Sequence, residues 1–173
     1  EECEGKTIWE YLAKVWETMQ QAVKNGLEHE GVLPGPLGLR RKATSYYVRA
    51  DGYQHSMRTR GLLFAYALAV SEENAGGGKI VTAPTCGSCG VLPSVLYHLS
   101  TSRQISDQRI LKALATAGLF GNIVKTNASI SGAEVGCQGE VGVACAMAAA
   151  AAAQLFGGTP AHIEYAAELG LEH

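Results

Sequence analysis

Residues 141–163 contain no Asp, Glu, Lys or Arg, and six consecutive alanines, 148–153, lie at their centre. Alanine is the strongest helix former and adds almost no side-chain bulk. The run therefore dictates a helix that its neighbours approach closely. It is long enough to cross a bilayer. Its content points to a packed core helix instead: alanine and glycine dominate, Gln154 interrupts it, and Gly157, Gly158 and Pro160 break it. Composition agrees with a chain that buries much surface: 47% of residues are apolar and 17% charged, against a usual charged share of about 25%. The net charge of −2 offers no basic patch for nucleic acid or anionic lipid. At 173 residues a single domain is expected.

The remaining pattern is helical. Thr7 and Glu10 form a capping box, and Ile8, Leu12, Val15, Met19 and Val23 follow at helical spacing, with Gly26 or Gly31 as the stop. Pro34 and Pro36 predict an extended or turning segment. The basic run Arg40, Arg41, Lys42 is either a solvated patch or an anchor for a carboxylate. Further helices are expected over 54–73, over 92–100, and after Ser106 with Ile110, Leu114, Ala117 and Leu119 on its face. Thr159 and Pro160 start a last one as N-cap and N1, carrying Ile163, Ala166, Ala167, Leu169 and Gly170. A short β-like stretch is expected over 79–83. The fold class is mainly α: a helical domain with two glycine-rich polar loops around a central alanine-rich helix.

Those loops, "TAPTCGSCG" from Thr82 and "NASISGAEVGCQGE" from Asn127, are where chemistry is expected. Both are rich in small hydroxyl and thiol residues and lead into helices, whose free N–H groups favour anions. Such a pair of loops could hold a small polar substrate. Lys125 and Glu134 are candidate catalytic partners, or members of a structural ion pair. The five cysteines fit reduced thiols better than a disulfide scaffold. Cys86-x-x-Cys89 admits a metal site, a redox dithiol or two unrelated thiols. Cys145 reads as a small core residue, and Cys3 says little. Cys137 stands apart, flanked by Gly136 and Gly139 with Glu134 and Glu140 near. The histidines are scattered, and none lies on either loop.

The stretches "LPGPLGLRRKA", "ALAVSEENAGGGKIVTAPT", "GVLPSVLYH", "NASISGAEVGCQGEVGVACAMAAA" and "GGTPAHIEYAAELGLEH" resemble, in order, the alpha (catalytic) domain of the iron–sulfur-dependent L-serine dehydratases, or L-serine ammonia-lyases. The resemblance implies a cytoplasmic lyase that converts L-serine to pyruvate and ammonia. It implies a [4Fe–4S] cluster held by three cysteines, whose open iron is the Lewis acid, with Cys137 as one ligand, and it makes Thr82, Thr85, Ser88, Asn127, Ser129, Ser131 and Gly132 the candidate substrate-binding residues. The other two ligands are expected beyond "LGLEH", so residues 1–173 are expected to be a truncated part of that domain. The isolated piece is expected to be inactive and without its cluster. A beta or regulatory domain and self-association into a homo-oligomer are the expected partners. The final Leu-Glu-His fits the family's continuation or the start of a tag. Many members carry Asn where this chain has Cys86. Two alternatives stand beside this reading: a related iron–sulfur lyase acting on L-cysteine, and a non-catalytic metal or thiol module using Cys86 and Cys89.

Overall fold

The computed structural model describes residues 5 and 7–172; Cys3 and His173 lie outside the described residues. The architecture is α1 (Thr7–Glu28), α2 (Ala43–Asp51), α3 (His55–Ala75), α4 (Val91–Arg103), α5 (Asp107–Asn127), α6 (Gly132–Cys137), a π-turn (Gln138–Gly142), α7 (Val143–Leu155) and α8 (Pro160–Glu172). No strand occurs among the described residues; residues 79–83, expected to be β-like, run as irregular backbone. Lacking a neighbouring strand, their extended residues have no ladder to join.

The alanine helix α7 is the hub. It packs against α4, α5 and α8. Val143, Met147, Ala148, Ala151 and Leu155 enter the main core with Leu12, Trp16, Leu92, Leu96, Ile110 and Leu114. On its other side Ala146 and Ala150 meet Ala167 of α8. A Cβ built on Gly170 would lie 2.8 Å from the carbonyl oxygen of Cys145, so α8 rests almost directly on the α7 backbone. By length and composition, the helical stretch Gly132–Leu155 could cross a membrane, yet half of it is buried inside the protein. Cys145 is half-buried, and burial pushes its thiol pKa up.

Gly26 does not end α1. It lies inside the helix, buried, and a Cβ there would collide with the carbonyl of Ala69 on α3. It is a contact glycine, and helical periodicity alone does not separate that use from a stop. The expected helix over 54–73 is α3, but a separate helix, α2, precedes it. Its N-cap, Lys42, has no side-chain oxygen to offer. The buried carboxylate of Glu72 on α3 supplies it, accepting from the backbone N–H of Lys42 (2.6 Å) and of Ala43 (3.3 Å). Beside it Glu73 accepts from Arg41 Nη1 at 3.0 Å and pairs with His29 Nδ1 at 2.7 Å. Within the basic run Arg41 thus anchors a carboxylate by its side chain and Lys42 by its backbone N–H, and both carboxylates belong to the protein.

On α5, Ile110, Leu114 and Ala117 are buried as expected, but Leu119 is exposed. On α8, Ala167 is buried and Leu169 exposed. Thr159 caps α8: its Oγ1 accepts from the His162 N–H at 3.4 Å, while His162 Nδ1 accepts from the Thr159 N–H at 3.2 Å. This is a capping box with histidine in the usual glutamate place.

Ala150, fully buried, is expected to cost about 1–3 kcal/mol when changed to Leu, lowering the melting temperature by roughly 2–4 °C per kcal/mol. Ala149 is half-buried and Ala149→Leu should cost less. Equal melting temperatures for wild type and Ala150→Leu would refute the close packing.

Candidate functional site

The second loop is shorter than the sequence suggests. Asn127 is the last residue of α5 and residues 128–131 are the only irregular ones before α6. "GAEVGC" is itself helical, with a break at Gly136 (φ 66°, ψ −164°). A positive φ at this ψ is open essentially to glycine alone. The chain then widens into the π-turn before α7. Such turns insert a residue into a helix and re-aim its side chains. Here Cys137, just before the turn, is exposed, while Glu140 inside it points back into the protein.

Glu140 joins the two loops. Its carboxylate accepts a hydrogen bond from the Thr85 hydroxyl. A Cβ added at Gly87 on the first loop would fall onto the same carboxylate, and one at Gly132 on the second would lie 2.6 Å from Oε2. The side chain fills a slot that two glycines, one from each loop, leave open. Sequence reading placed Glu140 near Cys137 without giving it a role. The π-turn that swings it inward has no periodicity to announce it.

The first loop is braced from within. Ser88 is buried; its hydroxyl lies 3.2 Å from Thr85 Oγ1 and donates to the Ala83 carbonyl at 3.3 Å. Asn74 Nδ2 donates to the Cys86 carbonyl at 3.1 Å. On the second loop Ser129 donates its hydroxyl to Glu134 and accepts from the Ser131 N–H at 3.1 Å. The Asn127 amide is turned back, donating to the Ile123 carbonyl of its own helix at 2.9 Å. Lys125 forms no ion pair with Glu134 or with any other described residue; the described ion pairs are His29–Glu73, Arg41–Glu73 and Arg58–Asp51. With Thr82 it lines a cleft of 790 Å³ that Tyr11, Pro84, Ile130 and Met147 also border. The structure therefore brings Thr85 and Gly132 to Glu140, with Ser88 behind Thr85, and sets Thr82 and Lys125 in a cleft that Pro84 and Ile130 of the two loops also line.

The two cysteines of the close pair are unlike. Cys86 is exposed. Cys89 is buried with Val23, Tyr66 and Val70, and burial, then the neighbouring Cys86, push its thiol up to about 11. Among the described residues no group of three or more His, Cys, Asp or Glu could hold a metal ion. A zinc module at Cys86 and Cys89 thus finds no further ligands among the described residues. Cys137, exposed at the break, fits one ligand position of a cluster; the described residues do not supply the others. Three histidines serve elsewhere: His29 on Glu73, His162 as a cap, and His98 buried in α4, where burial and then Arg103 lower its pKa.

The family model described as "Serine dehydratase alpha chain" matches residues 2–173. Curated relatives include an L-serine dehydratase of Haemophilus influenzae, 48% identical over 94% of this chain and 37% of its own length. L-serine dehydratase 1 of Escherichia coli is 49% identical over 97% of this chain and 38% of its own. An L-serine dehydratase of Streptomyces coelicolor is 46% identical over 96% of this chain and 37% of its own. The chain thus spans less than two fifths of the length of these relatives.

Alkylation at pH 8 should modify Cys86 and Cys137 readily and spare Cys89, whose thiol stays protonated there. Peptide mapping after iodoacetamide treatment checks this, and early labelling of Cys89 would refute its burial.

Proposed function

The chain belongs to the serine dehydratase alpha-chain family, and from that premise we propose that it is part of the catalytic domain of an L-serine ammonia-lyase. The enzyme removes the α-proton and β-hydroxyl of L-serine; the aminoacrylate left behind tautomerises and hydrolyses to pyruvate and ammonia. The observation that carries this reading is the meeting of the two glycine-rich loops at Glu140, three residues from an exposed Cys137. Hydroxyls, close backbone and a carboxylate converge there, a set suited to a small zwitterion.

In this reading Thr82, Thr85, Ser88, Asn127, Ser129, Ser131 and Gly132 line the substrate site. Thr85 and Ser88 keep their loop in shape. Lys125 and Glu134 are the candidates for proton transfer. Lys125 has no described ion-pair partner at the edge of the cleft, and Ser129 orients Glu134. A [4Fe–4S] cluster takes Cys137 as one ligand and its remaining thiolates from outside residues 1–173. When bound, it supplies a Lewis acid for the β-hydroxyl. The relatives' greater length supports a longer enzyme with a beta or regulatory domain. The cytoplasm is its proposed location. Exposed Leu37, Val48, Met57, Phe64 and Tyr165 support contact with that domain or a second copy.

The relatives' names, L-serine dehydratases, favour L-serine over L-cysteine. The full-length enzyme, prepared without oxygen, should form pyruvate from L-serine and lose that activity in air and in Cys137→Ala. Activity surviving both would remove the cluster from the mechanism. Sulfide release from L-cysteine with no turnover of serine would replace the substrate. Cys86→Ala should leave iron content unchanged, and loss of iron would make Cys86 a ligand.

A further inference from the structure

We propose that Glu140 is a positioning residue that locks the Thr82–Gly90 loop to the α6 segment, so that the two halves of the substrate site share one geometry. This deepens the proposed function and rests on it for its kinetic part only. Four observations carry it. Glu140 accepts the hydroxyl proton of Thr85, 55 residues away in sequence. Gly87 and Gly132 each lack a side chain where one would strike that same carboxylate. Ser88, packed against Thr85 and the Ala83 carbonyl, passes the constraint to the rest of its loop. The π-turn turns Glu140 inward while Cys137 next to it stays exposed.

The Thr85 hydroxyl has one proton and gives it to Glu140. That bond fixes an orientation that a freely rotating hydroxyl would not hold. Without the carboxylate, the slot between Gly87 and Gly132 is empty and each loop is free to move alone. Glutamine keeps an oxygen acceptor of nearly the same reach; alanine keeps none.

The test uses the full-length enzyme and Glu140→Ala, Glu140→Gln, Thr85→Val and Glu140→Ala/Thr85→Val. Hydrogen–deuterium exchange, which needs no substrate, should rise on the order of tenfold in peptides from both loops of Glu140→Ala, the scale of losing a hydrogen bond to a charged group. Glu140→Gln should recover most of that protection. KM for L-serine should rise on the order of tenfold in Glu140→Ala and in Thr85→Val alike, with the double variant no worse than either. kcat should fall much less. Unchanged exchange in the first loop of Glu140→Ala would overturn the proposal, as would a Glu140→Gln variant as loose as Glu140→Ala. A fall confined to kcat would overturn it in favour of a catalytic group. Should Glu140→Ala fail to fold, Gly87→Ala drives a Cβ into the same carboxylate and should loosen both loops. Wild type with the expected exchange pattern but no turnover of L-serine would overturn the function reading and leave the lock standing.

Discussion

Everything in this fold depends on how closely backbones can approach α7. A helix of alanines offers neighbours little to grip, so its stability comes from contact with the backbone itself. Gly170 against the Cys145 carbonyl and Ala167 against Ala146 and Ala150 are the visible form of that constraint. The large apolar side chains that fill the opposite side come mostly from α1, α4 and α5. The helix that carries the least bulk therefore sits where the most neighbours converge, and its N-terminal end is held firmly enough to present a π-turn.

The helices with strong periodicity were legible from sequence because their apolar faces repeat at 3.6 residues: Leu12, Met19 and Val23 on α1, and Ile110, Leu114 and Ala117 on α5, are all buried. What escaped depends on partners distant in the chain. Gly26 reads as a stop until Ala69 is seen against it. α2 has no capping side chain of its own, so nothing local marks its start. Leu119 continues the pattern of α5 but meets nothing, since periodicity predicts a face and not what covers it.

At the candidate site, composition marks both loops as rich in hydroxyls and glycines, and Cys137 beside them is exposed. Composition did not show which of them touch. Ser129 and Asn127 spend their hydrogen bonds on neighbours, and Lys125 opens onto the cleft rather than pairing with Glu134. Glu140 was hidden by its own helix. Three residues after Cys137, an ordinary α-helix would place it near the thiol's side; the wider winding of the π-turn gives the two residues different surroundings.

The dependence of α2 on Glu72 ties an outer stretch of the chain to α3. Segment 29–42 and the first turn of α2 are fastened to α3 by two adjacent carboxylates, through His29, Arg41 and the Lys42 and Ala43 N–H groups. These bonds converge on two neighbouring side chains, Glu72 and Glu73, and add to the packing of α2 on α3. The region from 29 to 51 therefore behaves as one unit of local unfolding. A change on its outer surface reaches the rest of the protein by two routes, those two side chains and the close packing of Ala50 on α2 against Gly61 on α3.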